Sequence, residues 1–259
     1  MLLLPVSTPL LKNGDDLAEI LREREAVQAG DILVVSSKAV ATVEDAAVDL
    51  QRLTPSDEAN VWSMKIGRSP AFCEAVLQET RFWNGNIAGF CPGAILTELR
   101  PEGFPRGTIL TANAGLDESN VPEGFAIGWP RDAVKSVVRL RRELEQGLGL
   151  GLGIGRIGMI LTDSCCRPRR FGVTAFALAV AGLDPLVSQV GKPDLFGKPL
   201  HITTEAIADQ LATAANFLMG NVNKSIPAVI IRDHGLPLSD YEDWVSGIEP
   251  AEDIFRDTL

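Results

Sequence analysis

The sequence has few of the residues that build zinc sites. Its 259 residues include two histidines and four cysteines, and no CxxC spacing occurs. A structural zinc site is therefore not expected. The cysteines are Cys73, Cys91, Cys165 and Cys166. The adjacent pair, Cys165 and Cys166, is better explained as small residues in a tight loop than as a redox pair, because disulfides are rare in cytosolic proteins.

The apolar start of the chain is too short to be a targeting or spanning segment. Residues 1–5 read Met-Leu-Leu-Leu-Pro and carry no basic leader. A signal sequence needs a longer apolar region, and a membrane span needs about 20 apolar residues. We therefore expect a cytoplasmic protein that does not associate with membranes.

Basic residues are outnumbered by acidic ones. The chain has 24 Lys and Arg against 34 Asp and Glu, for a net charge of −10. Such a surface repels nucleic acid and anionic lipid, so we expect neither as a partner. Local clusters of basic residues can still bind phosphate. The length fits one large domain or two small ones.

The first chemically informative stretch is 111–122, TANAGLDESNVP, which follows an apolar run at 107–110. This order predicts a strand followed by a polar loop. Asp117 supplies charge, and Asn120, three positions on, supplies an amide on the same side of a turn. Such a loop can hold a hard cation or a phosphate. The alternative is a loop whose side chains only bond to the local backbone.

A second stretch repeats the pattern. Residues 156–163 predict an apolar strand that ends in Asp163, with the hydroxyl of Ser164 directly after it. Three arginines follow, namely Arg167, Arg169 and Arg170. Two aspartates at strand ends together with arginines indicate a site for metal and phosphate.

Hydrophobic periodicity predicts an alternation of helices and strands. We predict helices at 15–27, 69–80, 131–146 and 204–220, and strands at 32–37, 93–99, 107–112, 176–181 and 228–232. The two strands before residue 112 predict a hairpin beneath Asp117. The glycine run at 147–158 contains GIGRIG, a formal GxGxxG, at 153–158. It follows a helix and enters a strand, so we interpret it as a connector rather than as a dinucleotide fingerprint.

Three runs in fixed order resemble the coenzyme F420-0:γ-glutamyl ligase family. They are ANAGLDESNVP at 112–122, TDSCCRP at 162–168, and GKPDLFGKPLHITTEAIADQLATAANFLMGN at 191–221. The resemblance covers residues 9–232. It implies a mixed α/β fold in two lobes, assembled as an intertwined homodimer. We expect a catalytic unit at 1–248 and an acidic tail at 249–259.

The resemblance also implies a reaction. Ligases of this family join the carboxylate of F420-0 or F420-1 to the amino group of L-glutamate, through an acyl phosphate. They use GTP and two Mg²⁺ or Mn²⁺ ions, with K⁺ as a further candidate ion. The partners expected here are thus a small-molecule acceptor, L-glutamate and a second copy of the chain.

Carried over residue by residue, the resemblance assigns a site. It assigns catalysis to Asp117, Asp163 and Arg167, and it assigns metal binding to Asp117, Asp163, Ser164 and Asn221. Nucleotide contacts fall to Pro9, Leu10, Leu11, Lys12, Ser36, Ser37, Asn120, Met219, Gly220, Asn221, Val222, Asn223, Lys224, Ser225 and Ile226. Without the resemblance, Gly220 and Asn221 are explained by a helix C-cap. Our own inference is that Arg167 and Arg170 bind phosphate or the glutamate carboxylates through paired N–H donors.

Several residues depart from the family pattern. Thr42 stands where the family usually has a lysine, Ser164 where it has threonine, and Asn221 where glutamine is more frequent. If that lysine neutralises nucleotide phosphate, its loss here either weakens nucleotide binding or leaves the task to Lys12, Lys38 or Arg167. Three alternatives follow: a ligase for a folate-type or other acceptor, a non-catalytic nucleotide-binding relative, and a phosphatase or nucleotidase that uses the same aspartates.

Overall fold

The computed structural model describes residues 1–149 and 156–256. The α-helices are α1 Leu17–Arg24, α2 Ser37–Val43, α3 Asp57–Ile66, α4 Pro70–Phe82, α5 Ala133–Gly147 and α6 Ile207–Met219. The strands are β1 Leu2–Val6, β2 Ile32–Ser36, β3 Ala47–Asp49, β4 Asn86–Cys91, β5 Ala94–Leu99, β6 Ile109–Ala112, β7 Phe125–Ile127, β8 Gly158–Cys166, β9 Val173–Ala181, β10 Val187–Ser188, β11 Thr204–Glu205, β12 Ala228–Arg232 and β13 Glu242–Trp244. The first half of the connector predicted at 153–158 lies outside the described residues, as do residues 257–259 of the predicted tail.

A six-stranded sheet forms the centre of the molecule, in the order β1-β12-β2-β8-β9-β13. Only β2 and β8 run parallel, with Ser36 opposite Thr162, while the other neighbours in this sheet are antiparallel. The carboxyl ends of β2 and β8 therefore meet at one edge of the sheet. Ligands bind in the crevice beyond such ends in open α/β sheets.

Helices cover both faces of this sheet, because successive side chains of a strand point to opposite sides. On one face, Ile32 and Val34 of β2 belong to the apolar cluster that includes α6. On the other face, Leu33 and Val35 belong to the larger cluster that includes α5 and α1. This arrangement explains why the strand is apolar at consecutive positions.

A smaller sheet of three antiparallel strands, β4-β5-β6, lies beside helices α3 and α4. The hairpin predicted before Asp117 is confirmed as β5 and β6, with Leu96 opposite Ala112. Strand β4 was not predicted. The C-terminal segment lies against this region, since Gly247 N donates to Arg106 O at 3.0 Å and Gly107 N donates to Glu249 Oε1 at 2.9 Å. Glu249 belongs to the predicted acidic tail.

The sequence predicts helices α1, α4, α5 and α6 but not α2 or α3, and several predicted boundaries differ from the structure. The helix predicted at 69–80 is confirmed as α4, and Ser69 caps it by accepting a hydrogen bond from Phe72 N. The prediction that a strand ends at Asp163 is wrong, because β8 continues to Cys166 in a ladder with β9. The helix predicted at 204–220 begins only at Ile207, since residues 204–205 pair with β10.

The mixed α/β class is confirmed. Across residues 1–149 and 156–256, no helix is both long and apolar enough to span a membrane.

Candidate active site

A cavity of about 580 Å³ opens where the parallel strands end. Four segments meet at this edge. The chain after β1 is joined to the chain before β12 by Thr8 N, which donates to Ser225 O at 2.9 Å. Ser36 N at the end of β2 donates to Pro227 O at 2.8 Å. The C-terminal end of α6 and the loop after β6 complete the wall.

Asp163 is the most enclosed carboxylate of the cavity, with 9% of its side chain exposed. Its Oδ2 atom accepts hydrogen bonds from Trp129 Nε1 at 2.6 Å and from Lys38 Nζ at 3.1 Å. Its Oδ1 atom accepts from Ser164 N at 2.9 Å. Hydrogen bonds to a carboxylate are stronger than those to a neutral acceptor, so these three donors fix the orientation of the Asp163 side chain.

The Lys38 ammonium also donates to the carbonyl oxygen of Gly115. That carbonyl is brought there by three consecutive residues with left-handed backbone, at φ of 53° for Asn113, 52° for Ala114 and 78° for Gly115. Such strain costs about 1–3 kcal/mol per non-glycine residue and persists only where the surroundings enforce it. Here Asn113 Oδ1 accepts from Ile95 N at 2.9 Å and Ala114 N donates to Thr97 Oγ1 at 3.1 Å.

Trp129 lies directly beneath this turn. A Cβ atom on Gly115 would approach its ring to 2.6 Å, so the turn leaves room only for glycine. Trp129 is 1% exposed and packs against the rings of Trp83 and Phe176. The ring is therefore held rigidly while its N–H points at Asp163.

Asp117 is exposed and lies on the other side of the turn. Its backbone pairs with Ile127, at the end of β7, through hydrogen bonds of 2.9 and 2.8 Å. Its carboxylate accepts from the backbone N–H and the hydroxyl of Ser119, the local bonding that the alternative interpretation expects. Asn120 has φ of 56° and lines the cavity.

Most residues assigned from the resemblance line this one cavity. The lining includes Pro9, Leu10, Leu11, Ser36, Asp117, Asn120, Asp163, Ser164, Met219, Gly220, Asn221, Val222, Asn223, Ser225 and Ile226. Four assigned residues do not line it, namely Lys12, Ser37, Arg167 and Lys224. Ser37 is fully buried, whereas Arg167 is exposed and its Nε donates to Thr174 Oγ1 at 3.3 Å.

Three cations are candidates for the task of the lysine that Thr42 replaces. Of these, Lys38 lines the cavity, whereas Lys12 and Arg167 do not. Thr42 also lines the cavity, and its hydroxyl donates to Lys38 O at 2.8 Å one turn earlier in α2.

The cavity offers oxygen donors of the kind that Mg²⁺ and Mn²⁺ prefer. Asp117 and Asp163 supply carboxylates, Ser164 a hydroxyl and Asn221 an amide oxygen, and all four line the wall. These residues fit the hard cations that the family pattern implies. Within the described residues, no three Asp, Glu, His or Cys side chains gather at one point. This part of the chain therefore contains no cluster of thiolate or imidazole ligands for a softer metal.

Cys165 carries no sign of redox activation. Burial raises the pKa of its thiol, against the smaller lowering effects of the Thr174 hydroxyl and Arg167. A raised pKa keeps the sulfur protonated and unreactive. The interpretation of Cys165 and Cys166 as small residues in a tight loop is wrong in its location, because both lie on strand β8 and pair with β9.

Sequence reasoning did not find Trp129. It stands between Gly128 and Pro130, just after the short strand β7, where no motif or periodicity distinguishes it from an ordinary core residue. Its role is visible only in the tertiary structure, where Asp163 of β8 comes within hydrogen-bond distance although it lies 34 positions away along the chain.

The chain is similar to known proteins over most of its length. The profile of the family described as F420-0:Gamma-glutamyl ligase matches residues 5–233. A coenzyme F420:L-glutamate ligase of Methanopyrus kandleri is 35% identical over 250 residues, which cover 95% of this chain and 93% of the relative. The protein of the same name from Archaeoglobus fulgidus is 34% identical over 254 residues, which cover 96% and 90%. That of Methanosarcina mazei is 36% identical over 224 residues, which cover 86% and 82%.

Proposed function

Because the chain belongs to the F420-0:gamma-glutamyl ligase family, we propose that it joins L-glutamate to the carboxylate of F420-0 or F420-1 with the help of GTP. One observation on this chain's own residues supports the proposal. A single cavity gathers two carboxylates, a cation and the segments assigned to the nucleotide, beyond the carboxyl ends of the parallel strands β2 and β8. Phosphoryl transfer requires such positioning and charge neutralisation more than it requires a nucleophile from the protein.

The nucleotide is proposed to lie along the side of the cavity formed by β1, β12 and β2. Residues 9–11, 219–223, 225 and 226 line that side together with Ser36. Backbone N–H groups and hydroxyls are suitable donors for phosphate oxygens. Lys38, with 23% of its side chain exposed, supplies positive charge inside the cavity.

The reaction is proposed to proceed in two displacements. An oxygen of the acceptor carboxylate attacks the γ-phosphorus of GTP, the bond to the bridging oxygen breaks, and GDP leaves. The amino nitrogen of L-glutamate then attacks the acyl carbon, the bond to the phosphate oxygen breaks, and inorganic phosphate leaves. The nitrogen gives up its proton to solvent. Activation is needed because a free carboxylate is a poor electrophile at neutral pH.

Asp163 and Asp117 would hold two Mg²⁺ or Mn²⁺ ions with Ser164 and Asn221, and these ions would neutralise the charge on the phosphates. Trp129 and Lys38 orient Asp163 through the two hydrogen bonds to its Oδ2 atom. The left-handed turn at 113–115 fixes the Gly115 carbonyl against Lys38.

The proposal is tested by neutralising each aspartate. Asp117→Asn and Asp163→Asn are expected to lower glutamyl transfer by about a hundredfold or more, because each removes a charge on which the phosphate site depends. Product is measured by mass spectrometry as a gain of one glutamyl unit. Asp240→Asn is the control, since that side chain is 86% exposed and does not line the cavity. Full activity in either cavity variant would overturn the two-aspartate site.

We also propose that the chain forms a homodimer through the hairpin arm, residues 186–205. The arm is built on the pairing of β10 with β11, and residues 191–199 are all exposed. Its tip presents Leu195 at 101% and Phe196 at 87% exposure, and Ile202 is 90% exposed. An arm with apolar side chains in water is typical of a surface that is covered by a partner.

A further inference from the structure

The turn that joins β8 to β9, residues 167–172, stands at the rim of the cavity. The residues that flank it, Cys166 and Val173, both line the cavity wall. Arg170 N donates to Arg167 O at 3.1 Å and closes the turn. Positive φ angles of 57° at Arg169 and 103° at Gly172 let the chain reverse within these few residues.

The turn carries three arginines that form no ion pair within the described residues, namely Arg167, Arg169 and Arg170. The Arg167 side chain donates to the Thr174 hydroxyl and interacts electrostatically with Asp209. Many other arginines of this acidic chain pair with carboxylates, as Arg131 does with Glu79 at 2.7 Å. Unpaired guanidinium groups beside a cavity favour an anionic ligand.

Phe171 lies within the same cluster and is fully exposed, at 110% of the reference area. Phe171 directly follows Arg170 in the chain. An exposed aromatic ring and guanidinium groups on one short turn offer a flat ligand surfaces on which to stack. The combination of ring and cations selects ligands that carry an aromatic system and an anionic group.

The topology separates this turn from the nucleotide side of the cavity. In the order β1-β12-β2-β8-β9, the segments assigned to the nucleotide lie at β1, β12 and β2, and the turn lies at β8 and β9. Asp163 is on β8 between the two. A ligand held by the turn therefore approaches Asp163 from the side opposite the nucleotide.

From this geometry we infer that the turn binds the acceptor. Arg169 and Arg170 pair with the anionic groups of the acceptor, and Phe171 covers a face of its ring. L-Glutamate is anionic but has no ring, so Phe171 distinguishes the two substrates. The inference rests on the proposed function, since it presupposes an acceptor that carries a carboxylate.

Binding is tested with the whole protein by equilibrium dialysis of F420-0, in the presence of Mn²⁺ and a non-hydrolysable GTP analogue. The double variant Arg169→Gln with Arg170→Gln is expected to weaken F420-0 binding about tenfold or more, because two charge-assisted contacts are lost. Phe171→Ala is expected to weaken it about fivefold. Binding of the GTP analogue, measured separately, should stay within about twofold in both variants because the nucleotide lies on the other side of Asp163.

Arg24→Gln is the matched control, since Arg24 is exposed at the end of α1 and does not line the cavity. An equal loss of affinity for the GTP analogue would assign the turn to the nucleotide and overturn the inference. Unchanged F420-0 binding in both variants, or no F420-0 binding by the wild type, would also overturn it. Binding that depends on the turn without glutamyl transfer would refute the proposed reaction and leave the turn's role intact.

Discussion

At the scale of single residues, Trp129 is the side chain that connects the core to the site. Its indole N–H reaches Asp163 at 2.6 Å while its ring is buried against Trp83. A hydrogen bond to a carboxylate contributes more than a neutral one, about 1.5–3 kcal/mol. Asp163 therefore owes its orientation to a residue that does not itself line the cavity.

Replacing Trp129 by Phe is expected to remove this bond while it keeps an aromatic ring in place. We expect glutamyl transfer to fall about tenfold or more, with a stability loss of about 1–3 kcal/mol. Mass-spectrometric rates and thermal unfolding measure the two effects.

Trp83→Phe is the matched control for this experiment. Trp83 is equally buried, but its indole nitrogen has no hydrogen-bond partner within the described residues, so its loss breaks no such bond. Activity should be retained in this variant. Equal loss in both variants would mean that Trp129 acts through packing alone.

The single tyrosine provides a direct test of local burial. Burial, and then the charges of Asp243 and Asp184, raise the pKa of Tyr241 to about 12, and its hydroxyl donates to Trp244 O. The folded state thus holds this proton more tightly than the unfolded state, whose tyrosine pKa is about 10. The contribution to stability is complete below about pH 10 and is lost as the pH rises through 12.

Spectrophotometric titration of tyrosinate measures this one group, since the chain contains no other tyrosine. We expect a midpoint near 12 for the folded protein. The protein unfolded in guanidinium should titrate at about 10. A folded midpoint equal to the unfolded one would contradict the enclosure of Tyr241.

How much of the site the sequence could predict depends on the kind of residue. Polar oxygen-bearing loops such as the one around Asp117 are visible in sequence, because small polar residues interrupt apolar runs there. Lys38 is one of three candidate cations for the task of the family's lysine. Its ammonium lies 3.1 Å from Asp163 Oδ2, and no sequence pattern contains that distance. Trp129 gave no signal, since an apolar ring in the core has the same local pattern with or without a site partner.

At the scale of elements, periodicity predicted four of the six described helices, and it missed α3 and β4, which are no shorter than elements that it found. Helix α4 and the β5–β6 hairpin agree with their patterns. Strand β8 runs past its apolar section, because its last residues, through Cys166, are held by the ladder with β9 rather than by burial on both faces. Pairing of this kind depends on a distant partner, which no local pattern contains.

The hairpin arm is the element whose role is most easily tested. If a second copy covers it, Leu195→Ser with Phe196→Ser removes apolar area from the interface and is expected to shift the protein from dimer to monomer. Sedimentation velocity at several concentrations measures the change. The control replaces Lys192 and Lys198, exposed on the same arm, by serine. A wild-type protein that sediments as a monomer would refute the homodimer proposal.

At the scale of the whole molecule, the fold explains how distant stretches of the chain form one site. The three motifs that identify the family lie far apart along the chain, at 112–122, 162–168 and 191–221, yet parts of each line one cavity. The central sheet accounts for this, because its topology brings β1, β2, β8 and β12 to the same edge. Local reasoning predicted the elements, whereas the sheet order required the tertiary structure.

The central claim is glutamyl transfer to F420-0, and one measurement tests it most directly. The protein is incubated with GTP, Mn²⁺ and L-glutamate, with F420-0 in one tube and tetrahydrofolate in another. The masses of the products are then measured by mass spectrometry. We predict a gain of one glutamyl unit on F420-0, with release of GDP and phosphate and a requirement for glutamate. A gain on tetrahydrofolate alone, or phosphate release without any glutamyl product, would contradict the account.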